Sequence, residues 1–352
     1  MQKRVFIAFP MNIPEIYKPL RDEGFELIFG AEPAPPIVSR GNRYAEDEII
    51  RRCRDVHAIL GSPGLTLTAR ALKSMKSLIC VCNSGIGVDK IDIKAASELG
   101  ILIANAPVKE NIISVAEHTV ALILALAKKL RIIPEIMAKE GPSAYFDERV
   151  DTIVLAGKTV GIIGLGRIGS RVAKLLRPFQ VRILGYDPYI PEERLRRIGV
   201  KPTNLETLLR ESDFVTIHAP LTEETYHMIG FKELATMKKT AYIVNTARGA
   251  IIDEKAFINA LKNGMIAGAA LDVVEKEPIT TDNPLLKMEN VILTPHIAGR
   301  NSTSIIEGEK LAVKNCLRIL RGRIPRHIVN PEAIPRWRER RRKNYDSYRD
   351  PT

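Results

Sequence analysis

Short apolar runs alternate with longer amphipathic stretches along most of the chain. In the first third, the runs are KRVFIAF, FELIF, HAIL, LICVC and ILIA, and stretches such as EDEIIRRC and TARALKSM lie between them. The runs are rich in β-branched residues, and strands alternating with helices are typical of βαβ units. The pattern therefore predicts an α/β fold with parallel strands and helices on both faces.

A second series of apolar runs continues the same alternation in the middle of the chain. It consists of TVGIIG, VRILGY, FVTIH, AYIVN, AGAALDV and VILT. Two doubly wound parallel-sheet units are therefore predicted in series. No repeat of fixed period is visible, which excludes a solenoid. The amphipathic stretch at about 302–321 follows the last run, and we expect it to pack back against the first unit.

Composition adds an uneven distribution of charge to this picture. The chain has 352 residues, 45% of them hydrophobic and 27% charged, with a net charge of +12. Such a length suits about two domains. From Arg321 onward, ten Lys and Arg residues stand against four Asp and Glu residues, which is half of the net charge. We expect residues 336–352, with RWRERRRK at their start, to form a solvated or partner-docking basic tail. Nucleic-acid binding through this tail is the accessory alternative.

The cysteines and the apolar stretches indicate where the protein resides. Cys53, Cys80, Cys82 and Cys316 form no CxxC pair, so they are expected to be reduced core thiols of a cytoplasmic protein rather than metal ligands. The start, MQKRVFIAFP, has no signal-peptide architecture. The uncharged run within 114–130 is too short to cross a bilayer.

A glycine motif follows the first strand of the second series. Gly164, Gly166 and Gly169 form GxGxxG at the predicted start of a helix. In this context the glycines allow a tight turn, backbone approach to a pyrophosphate and close helix packing. Asp187 follows Gly169 by 18 residues, near the spacing expected for an acid that binds the ribose hydroxyls. Such a carboxylate repels a 2′-phosphate and favours NAD over NADP; the alternative is a turn residue before Pro188.

Three charged residues stand just beyond predicted strand ends. Arg248 follows AYIVNT, Glu277 follows AGAALDV, and His296 follows VILTP. Ligands of open α/β sheets bind beyond the carboxyl ends of the strands. A guanidinium grips a carboxylate at two points, an imidazole exchanges a proton with an alcohol oxygen, and a carboxylate orients that imidazole. The alternative for His296 is a packed core residue. The other five histidines are expected to be structural, with His57 at the surface or an element boundary.

Seven stretches in order resemble the D-isomer-specific 2-hydroxyacid dehydrogenase family, over about residues 3–330. They are NSGIGVDKIDI, NAPVKENIISVAEH, GIIGLGRIG, HAPLTEET, NTARGAIIDE, LDVVEKEP and TPHIAG. The resemblance implies that Arg248 holds the substrate carboxylate, that Glu277 rather than Glu275 supports the histidine, and that His296 is the acid/base. It also implies a flavodoxin-like substrate domain at 1–103 and 299–335, with a Rossmann NAD-binding domain at 104–298 inserted into it.

The resemblance further implies contacts to cofactor and substrate. The expected cofactor contacts are Gly164, Gly166, Arg167, Ile168 and Gly169 at the pyrophosphate, Ala219 and Pro220 on the adenosine side, and Thr246, Ala247, Asp272, Ala298 and Gly299 near the nicotinamide. Asp272 is expected to hydrogen-bond the nicotinamide amide. Ser84, Gly85 and Ile86 are the expected substrate loop.

The predicted function is NAD-dependent interconversion of a small D-2-hydroxy acid and its 2-oxo acid. Glyoxylate, hydroxypyruvate, a longer 2-oxo acid and a phosphorylated substrate all stay open. Asn83 stands where the family's phosphoglycerate enzymes often carry an arginine, which weakens the phosphorylated option. A homodimer pairing through the 105–130 helix region is expected. The alternative is an NADH-sensing, corepressor-like regulator of the same fold.

Overall fold

The chain divides into two compact units, each built around its own sheet. The computed structural model describes residues 3–35, 44–61 and 65–346. The first unit combines Met1–Asn111 with Arg300–Thr352, and the second is Ile112–Gly299. The first boundary lies eight residues beyond the expected 103/104 division and falls within the helix Lys109–Ala127.

The first unit contains, within the described residues, a five-stranded parallel sheet in the order β2-β1-β3-β4-β5. Its strands are β1 (Arg4–Ile7), β2 (Glu26–Phe29), β3 (Ala58–Gly61), β4 (Cys80–Asn83) and β5 (Leu102–Ala104). The helices that connect them are α1 (Lys18–Asp22), α2 (Glu46–Cys53), α3 (Ala69–Ser74) and α4 (Ile93–Leu99). Every residue of β3, β4 and β5 is buried, which explains why these strands are continuous apolar runs. The order is that of a flavodoxin-like sheet, as predicted.

The second unit contains seven parallel strands among its residues, all of which the structure describes, in the order β12-β11-β10-β9-β6-β7-β8. The strands are β6 (Thr159–Ile163), β7 (Arg182–Tyr186), β8 (Lys201–Pro202), β9 (Phe214–Ile217), β10 (Tyr242–Asn245), β11 (Gly268–Leu271) and β12 (Val291–Leu293). The helices are α5 (Lys109–Ala127), α6 (Ile132–Glu140), α7 (Arg167–Leu176), α8 (Glu192–Arg197), α9 (Leu205–Glu211), α10 (Phe231–Thr236) and α11 (Glu254–Lys262). The strand order reverses at β6, which is the Rossmann switch point, and the predicted fold class is confirmed.

The helix α12 (Ser302–Leu320) belongs to the first unit and covers one face of its sheet. Asn301 caps it, because its side-chain oxygen accepts a hydrogen bond from the Ser304 amide at 2.8 Å. Its apolar face, including Ala312, Cys316 and Ile319, packs into the core that contains β4. The position of this helix sets the surroundings of the loop that follows β4.

The basic segment forms helix α13 (Ile334–Asn344), which is packed against the first unit rather than solvated as expected. Trp337 is 2% exposed and Tyr345 is 4% exposed, and both lie in the core beside Cys80 and Cys316. Arg340 donates hydrogen bonds to the carbonyl oxygens of residues 75, 76 and 78 at 2.6 to 2.8 Å. The prediction considered only the high charge of the segment and overlooked its two aromatic residues, Trp337 and Tyr345, which anchor it to the core. The remaining tail residues, 347–352, lie outside the described part.

Tyr345 also explains an error about a histidine. The ring of His57 packs against that of Tyr345 with 5.6 Å between centroids, and His57 is 3% exposed. Burial is the largest cause that lowers the pKa of His57 to about 4. His57 lies directly before β3, so the boundary position is as expected, and only the surface alternative is wrong.

The state of the cysteines and the length of the helices can be compared with the expectations of reduced thiols and of no membrane-spanning segment. Cys53, Cys80, Cys82 and Cys316 are all buried and none is in a disulfide. Every helix in the described ranges is too short or too polar to cross a bilayer.

Candidate active site

The glycine turn joins β6 to α7 and has the shape that a pyrophosphate requires. Gly164 has φ +83°, and a Cβ there would lie 2.6 Å from the amide nitrogen of Ala219. A Cβ at Gly169 would lie 2.0 Å from the carbonyl oxygen of Gly164, so only glycine lets the helix pack this closely. A Cβ at Gly166, by contrast, would meet nothing within 4 Å. The protein fills the space around the outer two glycines and leaves it open at the middle one, where a dinucleotide backbone fits.

Asp187 is fixed beside this turn, directly after β7. Its Oδ2 accepts a hydrogen bond from the Leu165 amide at 2.8 Å, and its Oδ1 accepts one from the Tyr189 amide at 3.0 Å. Each carboxylate oxygen can accept more than one hydrogen bond. The bonds therefore orient the carboxylate and leave it capacity for ribose hydroxyls.

His296 and Glu277 form a direct pair after β12 and β11. The Nδ1 of His296 lies 2.7 Å from the Oε2 of Glu277, and the two side chains are 49% and 34% exposed. Among the described residues, Nε2 of His296 has no hydrogen-bond partner, and the His296 side chain is 49% exposed. Glu275, the neighbouring candidate, pairs instead with His227 at 2.9 Å.

The backbone of His296 is in an unusual conformation. Its φ is +53°, in the left-handed region that non-glycine residues seldom adopt. Its amide donates to the carbonyl oxygen of Asp272 at 2.8 Å. Such a conformation persists only where the surroundings enforce it, and it is often found at functional sites.

The side chain of Asp272 holds the residues on either side of His296 and so stabilises its left-handed conformation. Asp272 is 2% exposed. Its Oδ1 accepts from the Thr294 hydroxyl at 2.6 Å and the Ile297 amide at 2.8 Å, and its Oδ2 accepts from the Ala298 amide at 2.8 Å. One buried carboxylate thus holds both sides of the His296 turn. The expected contact of Asp272 with a nicotinamide amide stays a prediction.

His118 on α5 joins this network through Thr294. Its Nε2 lies 3.2 Å from the Thr294 hydroxyl oxygen. The single proton of that hydroxyl is donated to Asp272, so the hydroxyl accepts from His118 and Nε2 is the protonated nitrogen. This role of Thr294 and His118 was missed in the sequence. The available signal was a threonine at the end of a strand, directly before the Pro-His pair.

Arg248 is presented by a braced turn after β10. Asn245, fully buried, donates through Nδ2 to the Arg248 carbonyl oxygen at 2.9 Å and accepts at Oδ1 from the Ala247 amide at 3.0 Å. A Cβ at Gly249 would lie 1.9 Å from the carbonyl carbon of Val274, so this turn packs on the backbone that leads to Glu277. Within the second unit, the turns that carry Arg248, Glu277 and His296 are therefore neighbours.

The remaining predicted cofactor positions lie around the same edge of this sheet. Thr246 is buried, and its hydroxyl pairs with that of Thr119 at 2.9 Å. The Ala298 carbonyl oxygen accepts from Ser114 at 2.8 Å. Arg167 and Pro220 are exposed, Ile168 and Ala219 are partly exposed, and Gly299 ends the second unit.

The predicted substrate loop, Ser84–Ile86, follows β4 in the first unit. The Gly85 carbonyl oxygen accepts from the Ala106 amide at 3.0 Å, and that of Ile86 accepts from Asn105 Nδ2 at 2.9 Å. Within the described ranges, the amide N–H groups of Gly85 and Ile86 donate to no protein group. Asn83 is buried, with its Nδ2 bonded to the Gly87 carbonyl oxygen. The loop thus uses its carbonyl groups in packing and leaves two N–H groups without a protein acceptor among the described residues; a role in substrate binding stays a prediction.

Comparison with known proteins decides the family. Residues 120–298 match the model of the D-isomer specific 2-hydroxyacid dehydrogenase NAD binding domain. The chain belongs to the D-isomer specific 2-hydroxyacid dehydrogenase family. It is an NAD-dependent oxidoreductase that interconverts a D-2-hydroxy acid and its 2-oxo acid.

Individual relatives agree with this assignment. The chain is 38% identical to a glyoxylate reductase of Korarchaeum cryptofilum, over 95% of this chain and 98% of the relative. It is 40% identical to a D-3-phosphoglycerate dehydrogenase of Methanocaldococcus jannaschii, over 85% of this chain but 56% of that longer protein. A D-lactate dehydrogenase structure from Aquifex aeolicus, complexed with NAD and lactic acid, has a TM-score of 0.80 and 31% identity, covering 93% and 99% of the two chains. These dehydrogenase and reductase relatives favour the enzyme over the NADH-sensing regulator.

Proposed function

We propose that this dehydrogenase reduces a short, unphosphorylated 2-oxo acid, with glyoxylate as the first candidate. The full-length match to a glyoxylate reductase supports this choice, whereas the phosphoglycerate dehydrogenase match covers about half of that protein. Asn83 also supports it, since the side chain at this position is neutral and buried. A phosphate would call for additional cations.

A panel of 2-oxo acids, followed by NADH oxidation, tests the substrate. We expect the highest kcat/KM with glyoxylate or hydroxypyruvate, and a much lower value with phosphohydroxypyruvate, because a phosphate dianion lacks a matching cation. The reverse order would contradict the proposal. The same panel without enzyme gives the background rate.

The proposed chemistry rests above all on the 2.7 Å contact between His296 and Glu277. When bound, NADH supplies a hydride to the carbonyl carbon. His296 donates a proton from Nε2 to the carbonyl oxygen as it becomes an alcohol, and Glu277 orients the ring and stabilises its protonated form. Arg248 binds the substrate carboxylate at two points. The predicted substrate-binding loop of the first unit, Ser84–Ile86, offers the substrate the N–H groups of Gly85 and Ile86, since the Ser84 amide already donates to the Gly61 carbonyl oxygen at 3.0 Å.

The proposal includes the cofactor contacts and the domain roles. The second unit is the NAD-binding domain and the first is the substrate domain. Gly164, Gly166, Arg167, Ile168 and Gly169 receive the pyrophosphate at the open face of the glycine turn. Asp187 receives the ribose hydroxyls.

Cofactor choice gives a direct prediction for Asp187. We expect NADH to be used much more efficiently than NADPH, because the carboxylate repels a 2′-phosphate. Both Asp187→Ala and Asp187→Asn should narrow this gap, the first by losing acceptor and charge, the second by losing charge alone. The measurement is the ratio of kcat/KM for the two cofactors. Equal use of both by the unmodified protein would contradict the role of Asp187.

We also propose that the chain pairs with a second copy through α5 and the segment after it. Among the described residues, several large apolar side chains of this segment are exposed, including Tyr145 at 82% and Phe146 at 84%. Single exposed apolar residues are common, but neighbours in one segment indicate an interface. A mass of one chain in solution at micromolar concentration would contradict this.

Location and further partners complete the proposal. The buried, unpaired cysteines suit a reducing cytoplasm. The exposed side of α13 carries Arg338, Arg342 and Lys343, but Trp337 and Arg340 are used in packing. We therefore propose no nucleic-acid partner, and a salt-dependent retention on DNA would contradict that.

A further inference from the structure

A buried carboxyl group lies against the loop Ser84–Ile86. Glu309 on α12 is 4% exposed. Its Oε1 accepts a hydrogen bond from the Tyr17 hydroxyl at 3.1 Å, and hydrogen bonding to the nearby Ser84 side chain is one of the causes that lower its pKa. Ser84 is the first residue of the proposed substrate loop. A titratable group with no place in the proposed chemistry is thus in direct contact with that loop.

Glu309 and the loop Ser84–Ile86 are closely packed, so neither can move far from the other. A Cβ at Gly308 would lie 2.3 Å from the Ser84 carbonyl oxygen, so the backbone of α12 touches the loop. The Tyr17 hydroxyl is itself fixed, because it accepts a hydrogen bond from the Met11 amide at 2.9 Å. A change at the Glu309 carboxyl group therefore acts on Ser84 rather than being absorbed by neighbouring side chains.

The charge of Glu309 changes near neutral pH. Burial raises the pKa of Glu309 to about 7, against the lowering effect of its hydrogen bonds with Tyr17 and Ser84. Burial likewise holds the pKa of the Tyr17 hydroxyl well above its usual value, so Tyr17 stays protonated and donates. In the described part of the chain, no charged side chain contributes to the shift of Glu309, and the adjacent Lys310 pairs with Glu307 at 2.8 Å.

We propose that Glu309 is a positioning residue for the substrate loop, which favours substrate binding while its carboxyl group is neutral and weakens it once ionised. The ionised group draws the Ser84 hydroxyl toward itself. A negative charge there also lies next to Gly308, which packs against the loop whose Gly85 and Ile86 N–H groups are to receive the substrate carboxylate, and it opposes the binding of that anion. The inference rests on the proposed function and adds a pH control to its substrate site.

The test compares the unmodified enzyme with Glu309→Gln, which keeps the shape and stays neutral. The matched control is Glu307→Gln, on the same helix but with a 43% exposed side chain. The KM for glyoxylate, the KM for NADH and kcat are measured from about pH 5.5 to about pH 8.5, a range that brackets the charge change. Because all other titratable groups are the same in the two proteins, the ratio of the parent's glyoxylate KM to that of Glu309→Gln isolates Glu309.

We expect this ratio to rise on the order of threefold to tenfold as the pH passes through about 7, as for a nearby, partly screened charge. The ratio of parent to Glu307→Gln should stay flat. The KM for NADH and kcat should be nearly the same in all three proteins. A purely structural glutamate would change stability without this split between substrate KM and kcat.

A second variant keeps the inference testable if Glu309→Gln folds poorly. Tyr17→Phe removes a hydrogen bond that lowers the pKa of Glu309, so the rise in glyoxylate KM should move to higher pH. Thermal unfolding reports the charge state separately. Because the folded-state pKa is raised, the stability that Glu309 contributes is present below about pH 4.5 and is lost as the pH rises through about 7. The melting temperature of Glu309→Gln should therefore increase relative to that of the parent as the pH rises from about 4.5 to about 7.

These measurements distinguish a failure of the positioning role of Glu309 from a failure of the proposed function. If the parent reduces glyoxylate and the substrate KM of Glu309→Gln follows the same pH profile, the positioning role is wrong. If the parent reduces no 2-oxo acid at any pH, the proposed function is wrong, and the positioning role falls with it.

Discussion

The variant His296→Ala should fold, bind NADH and lose about 10²- to 10⁴-fold in the rate of glyoxylate reduction. The reason is that an alkoxide oxygen must gain a proton as hydride is added, and a positioned acid typically contributes that factor. His296 is the group placed for this, with Nδ1 held by Glu277 and Nε2 without a hydrogen-bond partner among the described residues. Turnover is followed by NADH oxidation, and NADH binding by fluorescence.

A second histidine of the same unit provides a matched control. His227 also has a positive φ, of +52°, and also pairs with a glutamate, Glu275, at 2.9 Å. His227→Ala therefore removes a similar pair from a similar turn and should leave the rate within a fewfold of the parent. Near-full activity in His296→Ala would leave that histidine structural and would send the search for the proton donor elsewhere.

The pair with Glu277 makes a further, distinct expectation. Glu277 acts through the imidazole, so the losses in His296→Ala and Glu277→Ala should be much less than additive in the double variant. Glu277→Gln should move the fall of the reduction rate to lower pH, because the carboxylate stabilises the protonated ring. Additive losses would show that the two residues act independently.

The variant Arg248→Lys should lose on the order of 10²- to 10³-fold in kcat/KM for the 2-oxo acid while binding NADH nearly as well as the parent. Lysine keeps the charge but loses the planar fork that grips a carboxylate at two points. The turn itself should survive, because Asn245 braces the backbone of residues 247 and 248, although the change removes the 2.7 Å hydrogen bond that the guanidinium donates to the Ala247 carbonyl oxygen.

The control for this change is Arg210→Lys, on the exposed face of α9, where the arginine pairs loosely with Glu206 at 3.8 Å. This control should be indistinguishable from the parent, because exposed pairs of this kind contribute little. Normal kcat/KM in Arg248→Lys would exclude Arg248 as the carboxylate clamp.

The fold, the glycine turn and the charged residues at the strand ends followed from local patterns in the chain, and the family resemblance implied the other site residues. Apolar runs of strand length separated by amphipathic stretches predicted two parallel sheets, because strand and helix periodicity are properties of near neighbours. The glycine spacing after β6 likewise predicted a phosphate-binding turn; Gly164 and Gly169 have the close packing expected of them, and the pyrophosphate contact of Gly166 stays a prediction. Arg248, Glu277 and His296 stood out because charged residues are rare just beyond buried strands.

What the chain did not reveal are pairings between residues that are far apart in sequence. Asp272 and Thr294 are recognisable only as polar residues near strand ends, and their joint hold on the left-handed turn of His296 depends on β11 lying beside β12. Glu309 appears in the sequence as one more charge on an amphipathic helix. Only the packing of α12 against β3 and β4 buries it near Ser84 and beside Tyr17, the latter 292 residues away along the chain.

The basic helix α13 is a second case in which the sequence did not reveal the packing: a charged segment proved to be packed against the core. Its composition predicted a solvated tail, because composition counts charges without regard to the direction in which each side chain points. In the structure Trp337 and Tyr345 face the core, and Arg340 saturates backbone carbonyl groups of the α3 end. The sequence alone determined the elements and the chemistry available at their ends. The tertiary structure decided which of those groups meet, because burial and hydrogen-bond partners depend on distances that sequence separation does not encode.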